Sequence, residues 1–450
     1  MNTEKAGIGW SGIFRLGLVQ AALGSIVVLT TATINRVMVV ELALPAMLPG
    51  ALVGLHYGIQ IMRPRFGHGS DLGGRRTPWI IGGMAVLATG GLSAALATAW
   101  MQSNFTAGVL FAVFAFVMVG IGVGASGTTL LALLAKLVNS QRRAAAATIV
   151  WLMMIMGFVI TAGTAGHFLD PFSITRLIVV TAVVCAMALG LTLLAIHGIE
   201  GNGGSFEVLP APEPDQPRVP FSTALAQVWE EAAARRFAVF VFVSMLAYSA
   251  QDLILEPFAG VVFGLTPGES TQLSGVHSSG LLVGMLMVAL LGSTFSGRSF
   301  GSLRLWMIGG CMASAAALVN LAAASINGPP WPLNSSVFAL GVANGAFAVG
   351  AIGSMMGMAD RGRKAREGTR MGLWGAAQAI AFGLGGFMGT AVVDFTRLML
   401  DSPVLAYAAV FSIQSMLFIA AALLGLRIEQ TVSQREDHQF AFAREVLQGG

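Results

Sequence analysis

Twelve apolar stretches, separated by short polar segments, set the organisation of this chain. They fall at about 16–38, 43–62, 79–99, 106–135, 145–168 and 175–197, and again at about 237–262, 271–295, 304–325, 334–358, 371–393 and 403–426. Each approaches the roughly 20 residues needed to cross about 30 Å of hydrocarbon as a helix. The pattern therefore predicts an all-α membrane protein with twelve transmembrane helices. One polar gap is longer than the rest. It opens Gly201-Asn202-Gly203-Gly204 and continues Pro210-Ala211-Pro212-Glu213-Pro214-Asp215-Gln216-Pro217, a composition that cannot build a packed core and reads as a linker. Residues 221–235 predict an amphipathic helix, with Phe221, Leu225, Val228 and Trp229 placed to lie on a membrane surface. The expected organisation is a six-helix bundle over 1–197, a cytoplasmic linker with this helix over 198–235, a second bundle over 236–426 and a cytoplasmic tail over 427–450.

Composition agrees with the pattern. The chain has 450 residues, 55% hydrophobic and only 10% charged, with a mean hydropathy of +0.77, whereas soluble domains carry about 25% charged residues. A net charge of +4 might point to nucleic acid, but the basic residues lie between spans and topology accounts for them. With the N-terminus inside, all of the 25 Lys and Arg residues except Arg36, Arg176 and Arg397 fall on the cytoplasmic side, so both termini are expected in the cytoplasm. Met1 to Arg15 leads directly into the first span without a cleavable signal. Cys185 and Cys311 both sit within spans, and no disulfide framework is implied. The 57 glycines suit helices that approach closely through small residues.

The two sets of six echo each other. Trp79-Ile80-Ile81-Gly82-Gly83 is matched by Trp306-Met307-Ile308-Gly309-Gly310, Trp151 by Trp374, and Asp170 by Asp394. The offsets are nearly constant and each set has an even number of spans, so the repeats run parallel. The segment after span two, Gly67-His68-Gly69-Ser70-Asp71-Leu72-Gly73-Gly74-Arg75-Arg76-Thr77-Pro78, follows the pattern G-x-x-x-D-x-x-G-R-R. Its glycines permit a tight reversal. Asp71 is placed to satisfy free amides at the start of the next helix, while Arg75 and Arg76 hold the reversal on one side of the membrane. In the second half the equivalent loop has decayed, with Arg298 standing where Asp71 stands. The motif, its position and the span count together resemble the major facilitator superfamily. That resemblance implies twelve helices in two six-helix pseudo-repeats, with Gly67, Asp71, Gly74, Arg75 and Arg76 as the signature cytoplasmic loop.

Ionisable residues inside spans are functional candidates by default. Asn35-Arg36-Val37-Met38-Val39-Val40-Glu41 closes span one, and Gln251-Asp252-Leu253-Ile254-Leu255-Glu256-Pro257-Phe258 lies inside span seven. Asp252 and Glu256 stand one turn apart on one helix face, so either one takes a proton or a cation such as Arg36 approaches. Two readings stay open for Arg36, Glu41, Asp252 and Glu256: a gate or proton-linked switch between the halves, or an interhelical ion pair that locks them.

These two segments, N-R-V-M-V-V-E-L-A-L-P-A and Q-D-L-I-L-E-P-F-A-G-V-V-F-G, resemble hallmark segments of the PucC family, a branch of the superfamily found in photosynthetic bacteria. The loop variant R-P-R-F-G-H-G-S-D-L-G-G-R-R-T-P-W-I resembles the branch encoded among bacteriochlorophyll-synthesis genes. The resemblance implies a multi-pass protein of the bacterial inner or intracytoplasmic photosynthetic membrane that assists assembly of light-harvesting complexes. It would bind or deliver bacteriochlorophyll or a biosynthetic precursor. It would dock antenna α/β polypeptides, bacteriochlorophyll synthase or the membrane-insertion machinery.

His56 in span two and His277 in span eight are the candidate pigment ligands, since a neutral imidazole within a membrane suits the magnesium of a chlorophyll. The alternative for each is a hydrogen bond to a neighbouring helix. His167, at the outer end of span five, is expected to act as a capping group. The competing function is a proton-coupled secondary transporter of a small amphipathic solute. Against a drug–proton antiporter, span four contains no Arg and span five, Gly157 to Gly166, no proline. Clustered metal ligands and aspartate-rich prenyl-diphosphate motifs are absent from the sequence. Neither a catalytic residue nor a metal ion is expected, and nor is nucleic-acid binding.

Overall fold

Eleven helices are long and apolar enough to span a membrane, and a twelfth, shorter apolar helix completes the set. The computed structural model describes residues 8–63, 66, 75–139, 142–200, 226, 229–294, 303–359 and 367–448. Its helices are α1 (Trp10–Glu41), α2 (Met47–Met62), α3 (Thr77–Met101), α4 (Phe105–Leu137), α5 (Arg143–Leu169) and α6 (Ile174–Ile196). The second set comprises α7 (Ala232–Phe263), α8 (Pro267–Thr294), α9 (Leu303–Asn327), α10 (Leu333–Ala359), α11 (Glu367–Leu400) and α12 (Pro403–Gln448). No strand occurs among the described residues. The signature-loop residues Gly67, Asp71 and Gly74 and most of the expected linker lie outside the described residues.

Helix contacts repeat between the sets. The contacts of α1 with α5 and α6 recur as those of α7 with α11 and α12, α3·α4 as α9·α10, and α2·α4 as α8·α10. The two largest seams between the sets are α5 against α8 and α2 against α11, which a twofold axis would exchange, and the end of α1 also touches α7 and α8. Each set has its own hydrophobic core. In the first it is built on Ile13, Leu16, Leu87, Val123 and Leu133. In the second the aromatic residues Phe237, Phe240, Phe258, Phe347, Phe411 and Phe418 dominate. The outer face is the reverse of a soluble protein's: Val179, Val183, Met187 and Leu194 of α6 are exposed. Such an apolar surface belongs in lipid, and the chain is a multi-pass membrane protein.

The matched tryptophans have diverged. Trp374 is buried, donates to the Ala234 carbonyl at 3.1 Å and packs on Phe237, whereas Trp151 is exposed.

The termini face is fastened by polar groups at helix ends. Arg15 of α1 donates to the carbonyls of Ala195 and His197 as α6 finishes, a favourable place for a cation. Glu200 accepts from the Arg76 amide at 2.9 Å, the Thr77 amide at 2.8 Å and the Thr77 hydroxyl at 2.6 Å. It thus caps the start of α3, the role anticipated for Asp71. The Arg76 guanidinium donates to the Ala132 carbonyl on α4. Partial burial disfavours the Glu200 charge, yet these hydrogen bonds, with Lys136 nearby, hold its carboxyl below the usual carboxylate range. A depressed folded-state pKa contributes stability that is complete above the unfolded value and lost as pH falls through the folded one. We therefore expect a melting temperature in detergent that drops on acidification below the ordinary Glu value of 4.5. Glu200→Gln should flatten that part of the profile, and an unchanged profile would remove Glu200 from this account.

Candidate functional site

The polar residues singled out in spans one and seven meet at the seam between the halves, towards the face away from the termini. Proline shapes this region. Pro257 lies inside α7 and has no N–H, so the carbonyl four residues earlier, that of Leu253, loses its helical partner. Asn35 of α1 supplies one: its Nδ2 donates to the Leu253 oxygen at 2.7 Å. Two motifs far apart in sequence therefore complete each other. Asn35→Ala should cost about 1–3 kcal/mol by leaving that buried carbonyl unpaired. Adding Pro257→Ala, which restores the helical N–H, should recover most of the loss in a thermal-melt double-mutant cycle. Additive losses would break the link.

Arg36, the next residue, is 2% exposed. Its guanidinium donates to Glu41 Oε1 at 2.5 Å and to the Leu265 carbonyl just beyond α7 at 2.6 Å. A single cation thus closes the end of α1 and holds the α7–α8 turn. Space for it comes from Gly260, where a Cβ would lie 2.9 Å from Arg36 Nη2. Glu256, fully buried, accepts from Ser274 at 2.6 Å and more weakly from Thr271 at 3.5 Å, and it lies within electrostatic range of Arg36. Thr271 also meets Thr33 of α1 at 3.0 Å, so a hydroxyl chain crosses from α1 through α8 to the α7 carboxylate.

Two aspartates complete this face. Asp170, at the end of α5, accepts from the Thr266 hydroxyl at 2.6 Å and the Gly268 amide at 3.3 Å, at the start of α8. Asp394 of α11 accepts from the amides of Ala46 and Met47, at the start of α2, at 3.0 and 2.7 Å. The matched pair of the sequence repeat is thus a pair of reciprocal helix caps, each half holding the other's second helix by its positive end. Thr266 and Glu269 add a capping box to α8.

Asp252 parts company with the other three charged residues. Half-buried, it has no hydrogen-bond or ion-pair partner among the described residues and lies within electrostatic range of Tyr57 and Tyr248. Phe382 of α11 contacts both tyrosine rings, with centroids 5.3 and 5.9 Å away. Sequence reasoning missed this aromatic trio. The only sequence signal for Tyr57 and Tyr248 is the scarcity of tyrosine, three in the chain.

The histidines are enclosed. A carboxamide nitrogen can only donate. Gln60 Nε2, 2.9 Å from His56 Nε2, therefore occupies that ring's lone pair, leaving Nδ1 buried without a partner. Arg63 fixes the amide orientation by donating to Gln60 Oε1. Likewise Asn344 Nδ2 lies 3.3 Å from His277 Nε2 and donates to Gln251 Oε1 at 2.6 Å. His56 is 1% and His277 7% exposed. Each buried ring thus has its accepting nitrogen engaged, so as arranged neither fits an axial ligand for a magnesium macrocycle. Among the described residues no group of three His, Cys, Asp or Glu gathers as a metal site.

Comparison with known proteins completes the picture. Residues 33–432 match the protein family described as PUCC protein. The chain is 53% identical over 417 residues to "Bacteriochlorophyll synthase 44.5 kDa chain" of Rhodobacter capsulatus, covering 93% of this chain and 95% of that one. It is 29% identical over 424 residues to "Protein PucC" of Cereibacter sphaeroides, covering 90% and 88%. Among solved structures, a D-xylose–proton symporter superposes with a TM-score of 0.69 at 14% identity, covering 93% of this chain and 97% of that chain. A bacterial homologue of the lysosomal transporter Spinster, in an inward-facing and occupied conformation, gives 0.67 at 15%, covering 93% and 96%. These likenesses establish the major facilitator fold.

Proposed function

The chain belongs to the PucC family, and from that premise we propose that it is an assembly factor for light-harvesting complexes in the inner membrane of a photosynthetic bacterium. It acts by docking partner polypeptides, either antenna α/β chains or a pigment-synthesis enzyme, against its lipid-facing helices. The observation that carries this reading is the 53% identity, across nearly the whole of both chains, to a protein named as a bacteriochlorophyll synthase chain. The facilitator fold, and a seam whose helix caps and Arg36 contacts tie the halves together, suit a scaffold. Pigment is not routed through His56 or His277, whose accepting nitrogens are already engaged.

The test is isolation from photosynthetic membranes in mild detergent, followed by identification of what accompanies the chain. Antenna polypeptides or pigment-synthesis enzymes at near-stoichiometric ratio are expected. His56→Ala with His277→Ala should leave antenna levels unchanged. Isolation of the chain alone, under conditions that keep antenna complexes intact, would overturn the reading.

A second reading, solute transport, draws on one observation: Asp252 is a half-buried carboxylate without a counter-charge among the described residues, set against tyrosines from both halves. Saturable, gradient-driven flux in liposomes, abolished by Asp252→Asn, would favour it.

A further inference from the structure

The two seams between the halves are related by the repeat, and both bring glycines into close contact with the facing helix. Along α2 and α11 the packing is close: a Cβ at Gly50 would collide with Thr390, and one at Gly54 would lie 3.2 Å from the Gly383 carbonyl. Along α5 and α8 the helices also touch, a Cβ at Gly166 falling 2.7 Å from the Gly268 carbonyl, and beside that contact lies an open groove of about 390 Å³, lined by Val159, Gly163, His167, Gln272, Val276 and Ser279. Gly163 is one of the lining residues, and a Cβ there would meet nothing within 4 Å.

Polarity along the groove is graded. His167 and Gln272 lie close to the ends of α5 and α8 at the face away from the termini. Val159 and Val276 lie deeper, about 10–15 Å into the membrane at 1.5 Å per residue. Both His167 and Gln272 are exposed, and neither has a hydrogen-bond partner among the described residues; the His167 ring rests edge-on against Phe168. His167 is thus no helix cap, contrary to the expectation from sequence. Ser279, deeper still, is satisfied by the Gly275 carbonyl. No Lys, Arg, Asp or Glu lines the space, so it would recognise a head by hydrogen bonding rather than by net charge.

We propose that this groove binds a bilayer lipid of the adjacent leaflet. One hydrocarbon chain lies along Val159, Gly163 and Val276, with its ester or hydroxyl region at His167 and Gln272. Hydrogen-bonding groups at headgroup depth above an apolar trough match that class of molecule, and an opening within the spans admits it sideways. The site is separate from the Arg36 cluster and independent of the assembly role.

The test uses the full chain in phosphatidylethanolamine–phosphatidylglycerol vesicles doped with a single-chain lipid carrying a diazirine in its tail. After photolysis, label should concentrate in peptides spanning 159–167 and 272–279. Gly163→Leu should cut it at least fivefold. Gly190→Leu, another glycine facing open space but on α6, should leave it unchanged. A second pair, His167→Ala with Gln272→Ala, should cut it at least threefold even if Gly163→Leu folds poorly. Label spread evenly over α6 and the other exposed helices would overturn the proposal. So would competition by bacteriochlorophyll without competition by unlabelled lysolipid.

Discussion

Arg36→Ala is expected to destabilise the folded chain by about 3 kcal/mol, near the lower end of the cost of breaking a buried ion pair by removing one partner. What is left behind sets the size of the loss. Glu41 keeps partial access to solvent, its side chain being 33% exposed, so its own loss is moderated. The Leu265 carbonyl, however, loses a charged donor at 2.6 Å, and the fully buried Glu256 loses the nearby positive charge. Arg36→Lys keeps the charge but not the fork that reaches both Glu41 and Leu265, and should fall between. Thermal unfolding in detergent measures the series. An Arg36→Ala protein as stable as wild type would show that the cluster carries no structural load.

The second large effect concerns the reciprocal caps. Asp170→Ala or Asp394→Ala alone should cost about 1 kcal/mol, the usual magnitude for a lost N-cap. Because they hold opposite seams, the double variant should lose about 2 kcal/mol by simple additivity. It should also separate the halves at the face away from the termini. Thiol-reactive probes at a cysteine introduced at Gly264, in the α7–α8 turn, would report that opening as faster modification. Rates equal to those of the single variants would mean that the caps stabilise helices without closing the face.

Much of this architecture could be read from sequence because its causes are local. Span length is set by bilayer thickness, and each long apolar stretch became a helix. The second span is shorter than expected because Ala43, at φ +51, and Pro45 delay its start to Met47. The i, i+5 spacing of Arg36 and Glu41 was readable as a possible pair, and the match of Asp170 with Asp394 as a repeat. What these aspartates touch was not readable, since the contacted amides lie on the other half of the chain. Asn35 answering the carbonyl freed by Pro257 is another such case: each residue is ordinary alone, and only the packing of α1 on α7 joins them. Glu200 was overlooked because it sits 124 residues from the helix start it caps. Asp252 and Glu256 do lie one turn apart, but different neighbours separate them. Glu256 accepts from hydroxyls and has a cation nearby, whereas Asp252 lies within electrostatic range of two tyrosines.

The caps and the Arg36 cluster together describe a facilitator fold whose polar groups at the seam hold its halves in register, while the histidines are engaged within their own halves. Its work is then expected at the lipid-facing surface, on other proteins. The most direct test is the near-infrared absorption of membranes from a strain lacking this chain. The account predicts that antenna bands fall severalfold while free bacteriochlorophyll is still made, with recovery on restoring wild type or the His56→Ala, His277→Ala variant. Unchanged antenna bands in the deletion strain would contradict it.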